Sequence, residues 1–122
     1  MIDFGIINDM KNRLNQTVCE WVGVEPVTPE SGTKVGIALS TLGAEPINGV
    51  RHKPENGTNG WYFWCGEEVS SEEHFFSPLH VERIAEYLPQ VQEYLCLPPG
   101  YRFLIDDNNY EDVWFDQVLQ NV

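Results

Sequence analysis

Four consecutive aromatic residues enclosed by glycines, in Gly60-Trp61-Tyr62-Phe63-Trp64-Cys65-Gly66, leave this chain few ways to fold. Rings crowd the preceding turn of a helix but pack well across a pleated sheet, so the run reads as a central strand. Alternation then places Trp61, Phe63 and Cys65 on one face and Tyr62 and Trp64 on the other. A strand apolar on both faces has to be covered on both, or left open where something binds. With a helix expected from each flank, the strand is read as core. Its functional interest then moves to its two ends, the Asn56-Gly57 loop and the Glu67-Glu68 pair.

The flanking segments supply that cover. Ile6, Ile7, Met10, Leu14, Val18 and Trp21 recur at helical spacing, predicting an amphipathic helix from Asp3 to Trp21 that Gly23 stops. Lys34 to Ser40 alternates Val35, Ile37 and Leu39 with small residues and reads as a strand. Ile47 to His52 offers at most a short one, and the turn formers of Lys53 to Gly60 predict an exposed, mobile loop. Ser77-Pro78 has the form of an N-cap followed by proline at the first helical position. It predicts a helix carrying Leu79, Val81, Ile84 and Leu88, broken at Leu88-Pro89. Tyr101 to Ile105 and Val113 to Phe115 read as a hairpin around Asp106-Asp107-Asn108-Asn109. The expectation is one α+β domain over residues 1–122, with a mainly antiparallel sheet of about five strands packed by the N-terminal helix and the proline-interrupted helix.

Charge is unevenly placed. The net charge is −12, yet residues 1–66 hold seven acids and five bases (net −2), whereas 67–122 hold twelve acids and two bases, Arg83 and Arg102 (net −10). Such a field repels nucleic acid and anionic membrane and attracts basic partners. No apolar run approaches the roughly 20 residues that span a bilayer, and Met1-Ile2-Asp3-Phe4 lacks the basic start of a secretion signal, so a cytoplasmic protein is expected. Cys19, Cys65 and Cys96 are odd in number, lack C-x-x-C spacing and sit in apolar segments, the pattern of buried free thiols.

Catalytic and metal signatures are sparse. His52, His74 and His80 meet no zinc spacing, the carboxylates form no calcium loop, and the glycines near 57 and 60 form no phosphate-binding motif, so neither a metal nor a cofactor is expected. Cys65 beside a histidine would be the core of a small hydrolase, but no elbow or cysteine-protease signature accompanies it. Protein binding fits better. Glu67, Glu68, Glu72 and Glu73 after the aromatic strand, and Asp106, Asp107, Glu111 and Asp112 around the hairpin turn, form two acidic clusters that could meet a basic partner. A small-molecule pocket built from Arg51, His52, Trp64 and His80 is the alternative.

Several stretches, in one order, resemble the immunity protein 33-like domains, small bacterial proteins assigned to polymorphic toxin systems. They are Leu39 to Gly43, Pro46 to His52, Gly60 to Glu67, Phe75 to Val81, Leu97 to Ile105 and Tyr110 to Asp116. The resemblance spans about residues 35–118 and leaves the first helix outside. It implies a cytoplasmic antidote that binds and blocks a cognate toxin without doing chemistry, and it transfers no catalytic residues.

Overall fold

The aromatic run is the long strand at the centre of a six-stranded mixed sheet. The computed structural model describes residues 16–120. The strands are β1 (Lys34–Ile37), β2 (Ile47–Arg51), β3 (Thr58–Cys65), β4 (Ser77–His80), β5 (Tyr101–Ile105) and β6 (Glu111–Phe115), in the order β4-β1-β3-β2-β5-β6. Only the β1–β3 pairing is parallel; the other four are antiparallel. One short α-helix, α1 (Val18–Val22), and the 3-10 helices η1 (Leu39–Thr41), η2 (Val81–Glu86), η3 (Pro89–Tyr94) and η4 (Gln117–Gln120) complete the α+β domain.

The alternation of β3 decides where the core sits. Trp61, Phe63 and Cys65 point to the larger core, with Val35 and Ile37 of β1, Ile47 of β2, and Phe103 and Ile105 of β5. Val18 and Cys19 of α1, Ile84 of η2, and Val91 and Tyr94 of η3 close that face. Trp61 stacks on Phe63 at 5.4 Å and Tyr94 on Phe103 at 4.4 Å. Two glycines make room for such rings: a Cβ on Gly49 would lie 2.3 Å from Phe103, and one on Gly36 would lie 2.5 Å from Tyr62. The opposite face carries a smaller cluster of Ala38, Val50, Trp64 and Leu119, with Tyr62, Phe75 and Phe76 packed against it. Among the described residues, the 66–76 segment and η4 cover this second face in part.

The expected first helix falls largely on residues 1–15, outside those described. Its described end is α1, capped by Thr17, whose Oγ1 accepts from Glu20 N while Glu20 Oε1 accepts from Thr17 N, and stopped by Gly23 at φ 85°. The strand expected over 34–40 ends at Ile37. Ile47–Arg51 is buried throughout and lies between β3 and β5, more than the marginal strand its glycine and asparagine suggested. The stretch before Gly60 is a tight hairpin, not a loose loop. Asn56 (φ 54°) and Gly57 (φ 85°) make the turn, and β3 starts at Thr58.

The largest correction concerns Ser77-Pro78. It does not cap a helix; Ser77–His80 pairs antiparallel with β1, matching Leu79 to Val35 and Pro78 to Gly36. A parallel β1–β3 pair left open would expose a strand edge, and β4 closes it while burying Leu79. Proline fits there because an outer strand does not need its N–H. The break at Leu88-Pro89 occurs as expected, but both pieces are 3-10 helices, with Pro89 opening the second.

Candidate functional site

Among the described residues, two of the concavities collect parts of the residue set singled out from the sequence.

The first lies at the end of the sheet where β2 and β6 begin and β3 and β5 finish. Asn48 Nδ2 donates to Gly66 O at 2.8 Å and Gly66 N to Pro46 O at 2.8 Å, tying the start of β2 to the exit of β3. Across β2, the β5–β6 turn is held by Asp106 Oδ1, which accepts from Asn108 N (2.8 Å) and Tyr110 N (3.1 Å). Between these turns is a groove of about 600 Å³ lined by Glu45, Glu67, Asp106 and Asp107, with Asn48, Leu104 and Tyr110. The two acidic clusters, some 40 positions apart in sequence, thus contribute to one groove whose lining contains no Lys or Arg. Glu45 was not foreseen. Its signal was its place just before the strand that runs between β3 and β5.

The remaining acids divide. Glu68, Glu72, Glu73 and Asp112 are exposed but do not line the groove. Glu111 is not a surface residue: it is buried and accepts a hydrogen bond from Tyr94 Oη. The alternation of β6 explains this, because Glu111 and Val113 point with the large core while Asp112 and Trp114 face the other way.

The second concavity, of about 500 Å³, lies on the less covered face of the sheet. One row of side chains forms its floor: Tyr62 of β3 pairs with Val50 of β2, and Val50 with Arg102 of β5. His52, Lys53 and Trp64 flank the row, and Phe76, Val69 and Leu119 lean over it. The rings brace one another edge to face, Tyr62 on Phe76 at 5.2 Å and His52 on Tyr62 at 5.5 Å. Arg102 Nη1 donates to Asp116 Oδ2 at 2.9 Å, and its guanidinium lies 5.1 Å from the centre of the Trp114 ring. Burial lowers the pKa of His52 below its ordinary value.

Of the four pocket candidates, His52 and Trp64 line this cavity; Arg51 and His80 do not. Arg51 sits on the opposite face, 2% exposed. Its Nε donates to Asn59 O (3.0 Å), and its Nη1 to Val27 O (2.6 Å), Leu97 O (2.7 Å) and Leu95 O (3.2 Å). It is a structural cation, its pKa lowered to about 10 by burial. His80 ends the outer strand β4 and is exposed. Tyr62, Arg102 and Phe76 were missed, since only the strand register brings them beside Trp64. No group of three His, Cys, Asp or Glu side chains among the described residues is arranged to hold a metal ion, and no described helix is long and apolar enough to cross a membrane.

The class that emerges is a single-sheet α+β domain with an acidic groove at one end of the sheet and an aromatic cavity on one face. The chain belongs to the Imm33-like domain family, whose model matches residues 14–116. The match begins earlier than the resemblance read from the sequence and takes in α1. No curated protein and no solved structure matches the chain.

Proposed function

We propose that this protein is a cytoplasmic, non-enzymatic immunity protein that binds a cognate, basic bacterial toxin and blocks it. Membership of an immunity-type family supports a toxin partner. The observation that carries the choice of surface is the groove between the β2 entrance, the β3 exit and the β5–β6 turn. There Glu45, Glu67, Asp106 and Asp107 face one space without a basic residue in its lining. Carboxylates held on short turns of a rigid sheet steer a cationic partner and fix its register, while apolar contacts such as half-exposed Tyr110 supply holding area. The exposed Glu68, Glu72 and Glu73 extend the same field along the following segment.

The test uses each candidate toxin found among the products of the genes adjacent to this one. Co-expression should restore growth, and the purified pair should associate faster at low salt. The triple variant Glu45→Lys, Glu67→Lys, Asp107→Lys spares Asp106, whose carboxylate holds the turn. It should slow association at least about tenfold and flatten the salt dependence, with its thermal midpoint near that of the parent. An unchanged association rate in a folded triple variant would remove the acidic groove from the reading. Failure of the parent to rescue or bind would remove the immunity function itself.

A further inference from the structure

The aromatic cavity on the second face has a donor set that the acidic groove lacks. Trp64 is 7% exposed and its Nε1 has no hydrogen-bond partner; Arg102 Nε and His52 Nδ1 are likewise buried and unpartnered. All three residues line this one cavity. An indole and a guanidinium N–H can only donate, so whatever satisfies them brings acceptor atoms. The charge is also unusual for this chain: Lys53 and Arg102, two of its seven Lys and Arg, line the space with one carboxylate, Glu55, while Asp116, outside the lining, holds Arg102 Nη1 and leaves Nε free. A volume of about 500 Å³ lies within the range of small-ligand sites, about 300–1,000 Å³.

We propose that this cavity binds a small planar organic acid, an aromatic or heteroaromatic carboxylate, with its ring against Tyr62, Trp64 and Phe76 and its carboxylate taking the N–H groups of Trp64 and Arg102. The full chain, labelled with ¹⁵N, is titrated with 2-naphthoate and with the uncharged 2-naphthamide. Naphthoate should move the Trp64 indole resonance saturably, with a dissociation constant of about 1 mM or tighter, and leave the Trp21 and Trp61 indoles in place; Trp64→Phe identifies the peak. Naphthamide should bind about tenfold more weakly, and Arg102→Met should weaken naphthoate by a similar factor. No saturable movement at about 10 mM ligand, or equal affinity for acid and amide, overturns the proposal. Both titrations use the parent chain, so they decide the matter even if the Arg102 variant is unstable. A negative result leaves the toxin reading intact, because the acidic groove is a separate site.

On the face with the large core, Cys19 Sγ and Cys96 Sγ lie 2.8 Å apart, joining α1 to the segment after η3 across 77 positions. We infer that the pair closes to a disulfide when the chain meets a disulfide oxidant such as oxidised glutathione. Cys96, half-buried, attacks one glutathione sulfur and releases the first glutathione thiol; Cys19 sulfur then displaces the second from Cys96, its proton leaving with that thiol. Burial pushes the Cys19 thiol up to about 12, so half-buried Cys96 takes the first attack, and the 2.8 Å separation of the two sulfurs is what lets Cys19 carry out the second. Oxidised glutathione should lower the thiol count of the denatured protein from three to one with no added glutathione mass, since Cys65 stays free. Cys96→Ser should abolish this loss and Cys65→Ser should keep it. A stable glutathione adduct on Cys96, or three thiols after prolonged oxidation, overturns the inference.

Discussion

Arg51 offers the sharpest test of how this fold is held together. Its guanidinium reaches four carbonyls from three parts of the chain: Asn59 at the start of β3, Val27 in the loop after α1, and Leu95 and Leu97 after η3. Substitution by methionine keeps the unbranched apolar stem but ends at about the position of Nε, so it removes every donor together with the guanidinium carbon that lies 5.7 Å from the centre of the Trp61 ring. Leu95 O retains a bond from Trp61 Nε1 at 3.0 Å. The carbonyls of Asn59 and Leu97, whose bonds to the guanidinium are buried, lose that partner, whereas the carbonyl of exposed Val27 can turn to water; a buried acceptor left dry costs about 1–3 kcal/mol. Two such groups amount to about 4 kcal/mol, a figure that agrees with the roughly 3–5 kcal/mol seen when one partner of a buried ionic contact is removed.

For a chain of 122 residues, 1 kcal/mol moves the thermal midpoint by about 4 °C. Arg51→Met should therefore lower the midpoint by about 16 °C in a thermal scan followed by far-ultraviolet circular dichroism. Arg51→Lys should recover only a minor part of that loss. An ammonium keeps the charge, but its compact head cannot span carbonyls that the flat guanidinium reaches from two nitrogens. If Arg51→Met melts within about 4 °C of the parent, the carbonyls have found other partners and the residue does not hold these segments together. If lysine restores the parent midpoint, charge rather than geometry is what the site requires.

Gly49→Ala should cost about 2–3 kcal/mol by chemical denaturation, because the new Cβ falls 2.3 Å from a Phe103 ring fixed by Tyr94 and Trp61; a loss below about 1 kcal/mol would mean that ring can shift. Burial holds the pKa of His52 below its ordinary 6.5, so between that lowered value and 6.5 the unfolded chain binds more protons than the folded one. Stability should fall as the pH drops through that window and be insensitive to His52 above it. His52→Gln should show a shallower acid slope, and an identical slope in midpoint against pH would contradict the burial. Thr17→Ala removes both the side-chain acceptor and the reciprocal box with Glu20, and should cost about 1 kcal/mol in the same denaturation assay; a change within error would show that α1 is held by packing alone.

What the sequence made legible follows the range of the forces involved. The two faces of β3 could be read directly, since alternation is a local property of a strand and Trp61, Phe63 and Cys65 are adjacent in that pattern. The break at Pro89 and the stop at Gly23 were equally local. Ser77-Pro78 misled for the opposite reason. Its helix-start chemistry is worth about 1 kcal/mol, and it lost to a whole strand pairing with β1, whose partner lies some 40 positions away. The site residues divide in the same way. Glu67 and Asp107 were legible as acidic, but their meeting in one groove depends on β2 running between β3 and β5, and that placement also recruits Glu45. Glu111 reads as one more acid in a cluster, yet the period of β6 turns it inward to Tyr94. Arg51 shows most clearly how a polar residue between strands can be mistaken for a ligand contact. A cation in a strand buried along its whole length has to be satisfied inside the protein, and carbonyls from irregular segments are the acceptors nearest to hand. The end of β2 therefore does two jobs with adjacent residues on opposite faces, Arg51 binding the core segments together and His52, the next residue, edging the cavity.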